Sequence, residues 1–272
     1  MINIISSILF VIMNFNSKPI LFVYMISFVG SKIFHQLISF GQYICFSCVV
    51  FIDIICFRPK FRLVVDQIIR LGINSIPIVA FTALFVGMAF SVQVVKELLR
   101  FGAPDLVGGV VAIAIWRELG PLLTGVVVAG RVGAAITAEI GAMKVNEQVD
   151  ALNVMGQDSI TYLVSPRVIA LIFMLPLLVG LADIVGFFGG LLVAISTSMI
   201  NYVSFFSSAN TMLNTFDILS GLVKALVFSI IISINASYLG LKVKHGAQDV
   251  GKKTRKSVVI SIVIIFGLNY VM

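Results

Sequence analysis

The stretch from Ile73 to Val95 runs for 23 residues without a charge, and it constrains the fold more than any other feature. An apolar helix of about 20 residues matches the hydrocarbon thickness of a bilayer. Four more apolar runs follow: Leu106 to about Ala138, Val168 to about Ile200, Phe216 to Leu241 and Ser257 to Met272. In lipid, every backbone amide must find its partner inside the protein, and helices do so within a single segment. The pattern predicts an all-α membrane protein with about five transmembrane helices. Composition agrees, since 60% of the 272 residues are hydrophobic, only 11% are charged and the mean hydropathy is +1.12. A soluble domain is about one quarter charged.

The charges that remain sit between the runs, and their bias sets the topology. The segments 58–72, 139–167 and 242–256 carry twelve Lys and Arg, whereas Lys96 and Arg100 stand alone on the other side. By the positive-inside rule those three segments share the cytoplasm-like face. The formal net charge of +7 therefore reads as a topology signal. With no recognition motif on a basic face, no nucleic-acid partner is expected.

Two regions are expected: 1–57, N-terminal and apolar, and 58–272, a polytopic membrane domain. Residues 1–32 are broken by Asn14, Asn16, Lys18 and Pro19, and 33–57 carry His35, Gln36, Gln42 and Asp53. That mixture suits an interfacial helix, although a span is also compatible with it. Met1 to Met13 lacks the basic start and cleavage site of a secretory signal, so none is expected.

Several residues carry chemistry. Arg117 and Glu118 lie inside hydrophobic sequence, where a charge is costly and faces a bundle interior, a cavity or a partner. Either a polar site on a substrate path or a structural ion pair would place them there. Pro121 follows and predicts a kink with freed carbonyls. Gly125, Ala129, Gly133, Thr137 and Gly141 recur every four residues, a ridge that permits close helix approach within the chain or across a dimer. Arg131 lies among them. Asp183 and Lys224 are lone charges in apolar spans, and Lys224 has Asp183 or Glu118 as candidate partners.

From Glu139 to Gly156 the chain is too polar to span. Val145, Val149 and Leu152 recur at helical spacing, and Gly156 is a stop signal, which predicts one short amphipathic helix. Glu139 to Asp158 carries four carboxylates against one lysine. That charge disfavours anionic headgroups and suits docking into a protein groove.

Other motifs carry little. Gly246 to Thr254 imitates a phosphate-binding loop, but Lys253 stands where Ser or Thr belongs and no strand precedes it; a basic loop is expected instead. Cys45-x-x-Cys48 has no second pair, so it reads as apolar packing in a helix. Asn235-Ala-Ser237 matches a glycosylation pattern inside a span, by chance. No nucleophile or metal cluster is visible, so no catalytic residue, metal or cofactor is expected.

Arg117-Glu-Leu-Gly-Pro121, Ala129-Gly-Arg-Val-Gly-Ala134, Thr137-Ala-Glu-Ile-Gly-Ala-Met143 and Glu147-Gln148 together resemble the MlaE family of permeases. Ser165-Pro-Arg167, the Leu175-Pro-Leu-Leu178 run and Gly251 to Val271 are similar to it too. The resemblance implies the membrane subunit of an ABC transporter, a homodimer partnered by a separate ATPase and an MCE-type substrate-binding protein. It implies phospholipid-type cargo, as in bacterial members that work between membranes and chloroplast members that import lipid. The Glu139–Gly156 helix would couple to the ATPase through Glu139, Glu147, Gln148 and Asp150. Arg117, Glu118, Arg131 and Lys224 would line the lipid path. Enrichment in Ile, Phe, Asn and Lys, as AT-rich organelle genomes encode, points to a plastid envelope inner membrane, the alternative being a bacterial inner membrane. Two other readings are an ion-coupled secondary transporter using Asp183, Glu118 and Lys224, and a lipid-modifying enzyme.

Overall fold

A computed structural model of the chain describes residues 18–56, 61–196, 200–244 and 246–272. Met1–Met13, Asn14, Asn16, Arg58 and Lys60 lie outside the described residues, as do the side chains of His35 and Gln36. The described residues form helices α1 (Lys18–Ile55), α2 (Phe61–Arg100), α3 (Pro104–Val145), α4 (Gln148–Val154), α5 (Ile160–Ser196), α6 (Tyr202–Met212), α7 (Thr215–Leu241) and α8 (Gly246–Val271). No strand occurs among them. Six helices are long and apolar enough to cross a membrane: α2, α3, α5, α7, α8 and the Leu37–Ile55 part of α1. The sixth falls in the stretch read as interfacial. His35, Gln36 and Gln42 crowd its start, and the 19 residues from Leu37 are apolar enough to span.

The chain divides into two compact units, residues 1–49 and 50–272. The first holds most of α1, where Phe34, Leu37, Phe40 and Ile44 are exposed, as are the free Cys45 and Cys48. The second is a helical bundle. Its most extensive pairing is α2 along α5; α7 lies against α5 and α3, and α8 against α7 and α3. Val128, Val132, Ile136, Leu175, Phe228 and Ile232 form the centre of its apolar core.

Small residues govern these pairings. A Cβ on Gly87 of α2 would collide with the Gly186 carbonyl of α5, and Ser91 Oγ donates to Gly190 O at 2.8 Å. This Gly/Ser ridge was not singled out in the sequence, although its four-residue spacing is there to read. The ridge that was singled out is used inside the chain. Gly133 faces Ile232, Gly141 faces Val243 and Val250, and Thr137 Oγ1 donates to Ala236 O at 3.1 Å.

Three expectations change. The Glu139–Gly156 segment is not one helix. The end of α3 and the seven-residue α4 meet at Asn146 and Glu147, and Glu147 has φ 59. Left-handed backbone in a non-glycine residue breaks the helix and turns the chain. Gly156, with φ 74, ends α4 as its sequence suggested. The basic stretch through Lys256 is not a loop either, because Gly246–Val271 is one helix. Asn235 Nδ2 explains its seating, donating to Ser257 O at 3.0 Å and Ser261 Oγ at 2.8 Å. The Asn235 pattern is thus an α7–α8 clasp. The Asn235 clasp is the third change, and a further helix, α6, seats itself through Ser208 Oγ, which accepts from Gly109 N at 3.0 Å.

Candidate functional site

Arg117 and Glu118 sit on a π-helical turn of α3, Ile115–Leu119, immediately before Gly120 and Pro121. Pro121 has no N–H to give to the Arg117 carbonyl four residues back. Lys224 Nζ on α7 donates to that carbonyl instead, at 3.2 Å, and to Glu118 Oε1 at 2.9 Å. The proline thus leaves a carbonyl that the buried lysine uses. Gly221, one turn earlier on α7, allows this approach, because a Cβ there would collide with the Trp116 carbonyl. The charge choice left open for Lys224 falls on Glu118. Asp183 packs against Gly120, and its Oδ1 has no hydrogen-bond partner.

Two further residues complete the cluster. Asn269 Nδ2 of α8 donates to Glu118 Oε2 at 2.9 Å, so Glu118 ties α3 to both α7 and α8. Asp217 Oδ1 lies 3.9 Å from Arg117 Nη1. Asp217 also closes the capping box that starts α7, accepting from Asn214 N at 3.1 Å. A box signal, Asn followed by Asp three residues later, was legible; its approach to Arg117 was not. Lys224 is 1% exposed, whereas the side chains of Glu118 and Arg117 are 44% and 54% exposed. The cluster is therefore buried on the lysine side and open on the other. It holds two cations and two carboxylates in otherwise apolar helices, a polar patch beside apolar surface.

Arg131 does not join it. It lies fourteen residues along α3 from Arg117, about 21 Å at helical rise. Its side chain is exposed and makes no ion pair among the described residues.

At the other end of α3 the predicted docking residues separate. Glu139, part-exposed, accepts from Arg167 Nη2 at 3.0 Å. Asp150 pairs with Lys144 at 2.6 Å. Glu147 and Gln148 are exposed at the turn. Beyond them Val149 is buried, while Val154 and Met155 are 89% and 68% exposed. Sequence periodicity found the buried face of α4 but not its exposed apolar tip.

Apolar helices long enough to span, packed around charged groups half-open to the surface, define a polytopic membrane protein. The family model for the MlaE permease matches residues 64–272, and the chain belongs to that family. A probable ABC transporter permease protein of Synechocystis is 44% identical over 221 residues, covering 81% of this chain and 84% of the relative. Arabidopsis thaliana TRIGALACTOSYLDIACYLGLYCEROL 1, a chloroplastic protein, is 40% identical over 215 residues, covering 79% of this chain and 61% of the relative. The intermembrane phospholipid transport system permease protein MlaE of Haemophilus influenzae is 33% identical over 216 residues, covering 79% and 83%.

Proposed function

We propose that this chain is the membrane subunit of an ABC transporter that moves phospholipid-type lipids, and that it works as a homodimer with a separate ATPase and an MCE-type substrate-binding protein. The division into 1–57 and 58–272 belongs to this reading, the second part being the permease domain. The carrying observation is the α3–α4 corner. Glu147, Gln148, Val154 and Met155 are exposed at the two ends of a short helix beyond the end of a spanning helix, a mixed charged and apolar tip suited to a groove on a partner. Movement of that corner by ATP binding and hydrolysis would pass into α3 and so to the Arg117–Glu118–Lys224 cluster, where a headgroup phosphate meets Arg117. Arg131, exposed further along α3, faces the same route. Glu139 and Asp150 support the corner through Arg167 and Lys144.

The relatives' names, ABC transporter permease and phospholipid transport permease, support the class of cargo and of energy source. The chloroplastic relative and the Ile-, Phe-, Asn- and Lys-rich composition favour a plastid inner envelope membrane over a bacterial inner membrane. The test is co-purification of the tagged chain from its own membranes. An ABC ATPase should accompany the wild type and be lost from Glu147→Ala/Gln148→Ala, with the chain itself still folded. Retention of the ATPase by that double variant refutes the docking corner.

A further inference from the structure

A second polar site lies on the basic side of the bundle, away from the Arg117–Glu118–Lys224 cluster. The start of α2, the end of α3 and the start of α5 enclose an open-mouthed cavity of about 300 Å³. That volume is at the lower edge of the range for ligand pockets, about 300–1,000 Å³. Its polar lining is Gln67, Arg70, Glu139, Tyr162 and Arg167, and Leu63 and Met143 add apolar wall.

The charges favour an anion. Two arginines stand against one glutamate. Arg167 is 4% exposed; its Nη1 donates to Leu163 O at 2.7 Å and its Nη2 to Glu139 Oε2 at 3.0 Å. Its Nε is buried without a partner, and so is Gln67 Oε1. Buried polar atoms are nearly always satisfied, so two orphans among the residues that line one cavity leave hydrogen-bonding capacity unmet beside it. The Gln67 amide, turned over, offers N–H in place of oxygen. Arg70 is exposed and makes no ion pair among the described residues. Its free guanidinium fork matches two oxygens of a phosphate. A cation would meet net positive charge here, and a neutral ligand would leave Arg70 idle.

We propose that this cavity binds a phosphate-bearing anion, a phosphate mono- or diester held by Arg70 and Gln67 and backed by the buried charge of Arg167. The site goes beyond the transport reading and does not depend on it. Its lining residues belong to the segments that the positive-inside bias places on the cytoplasm-like side, where anionic headgroups are drawn to basic side chains. Glu139 and Arg167 also close the base of the segment that carries α4, so an occupant would brace that segment.

The test uses the full chain in nanodiscs of phosphatidylcholine with or without phosphatidylglycerol. Native mass spectrometry counts phosphatidylglycerol retained by the wild type, Arg70→Gln and Gln67→Leu. Arg70 is exposed and unpaired, so Arg70→Gln should fold, and an unchanged melting curve checks this. The expected result is retention about tenfold weaker in Arg70→Gln. Millimolar inorganic phosphate separates the sources. If it leaves the retained lipid in place, the ligand is a headgroup; if it displaces the lipid, or itself binds in phosphatidylcholine discs in an Arg70-dependent way, the ligand is free phosphate. Equal retention by wild type and Arg70→Gln, with no Arg70-dependent phosphate binding, overturns the proposal. So does a signal that Arg117→Gln abolishes and Arg70→Gln does not, because that lipid would sit in the transport path.

Discussion

The Lys224–Glu118 pair yields the sharpest perturbation. Lys224 is 1% exposed and has two acceptors, Glu118 Oε1 at 2.9 Å and the Arg117 carbonyl at 3.2 Å. Glu118→Leu strands the ammonium on one carbonyl. A hydrogen bond to a charged group contributes about 1.5–3 kcal/mol. The Glu118 side chain is 44% exposed, and solvent screening places the loss near the bottom of that range, about 1.5–2 kcal/mol. At about 2–4 °C per kcal/mol for a chain of roughly this size, the melting temperature in detergent should fall by about 3–8 °C. The decisive variant is the double one. Glu118→Leu/Lys224→Met removes both charges, so no buried ammonium is left unpaired, and it should melt closer to wild type than Glu118→Leu alone. Thermal melts followed by intrinsic fluorescence measure all three variants. Additive losses, with the double variant the least stable, would refute the pairing as the reason Lys224 is tolerated.

Helix packing gives the next tests. Gly87→Ala puts a methyl group into the Gly186 carbonyl and should destabilise by about 1–3 kcal/mol; Gly251→Ala, with open space around it, should be neutral or slightly stabilising in the same melts. Asn235→Leu removes both hydrogen bonds to α8 and should cost about 1–2 kcal/mol. Hydrogen exchange should then rise in the Ser257–Ser261 region; unchanged protection contradicts the clasp. Gly156→Ala forces a side chain to φ 74, costing about 1–2 kcal/mol, and should loosen the chain after α4 without altering the melting of the bundle.

Spanning helices were legible because lipid imposes one demand, long and mostly apolar runs, and the chain displays it openly from Ile73 onward. The polar cluster was half legible. Arg117, Glu118 and Lys224 stand out by their cost in an apolar setting, but Asn269 and Asp217 look ordinary in sequence. Asn269 reaches Glu118 across 151 positions, a contact set by how α8 folds back on α3. The continuous docking helix failed for a local reason. Periodicity counts side chains and is blind to one left-handed residue, and Glu147 is that residue. Asp53 shows the same limit. It was read as interfacial polarity, yet it is buried and accepts from Thr161 Oγ1 and Ser165 Oγ.

On the proposed function, the chain moves lipid only when a separate ATPase works through the Glu147–Met155 corner. Co-reconstitution of the chain with the ABC ATPase that accompanies it, in liposomes carrying a fluorescent phospholipid, measures this directly. The account predicts ATP-dependent lipid movement that needs both proteins, is lost in Glu147→Ala/Gln148→Ala and is reduced in Arg117→Gln. Lipid movement by the purified chain alone, driven by an ion gradient and indifferent to ATP, would contradict it.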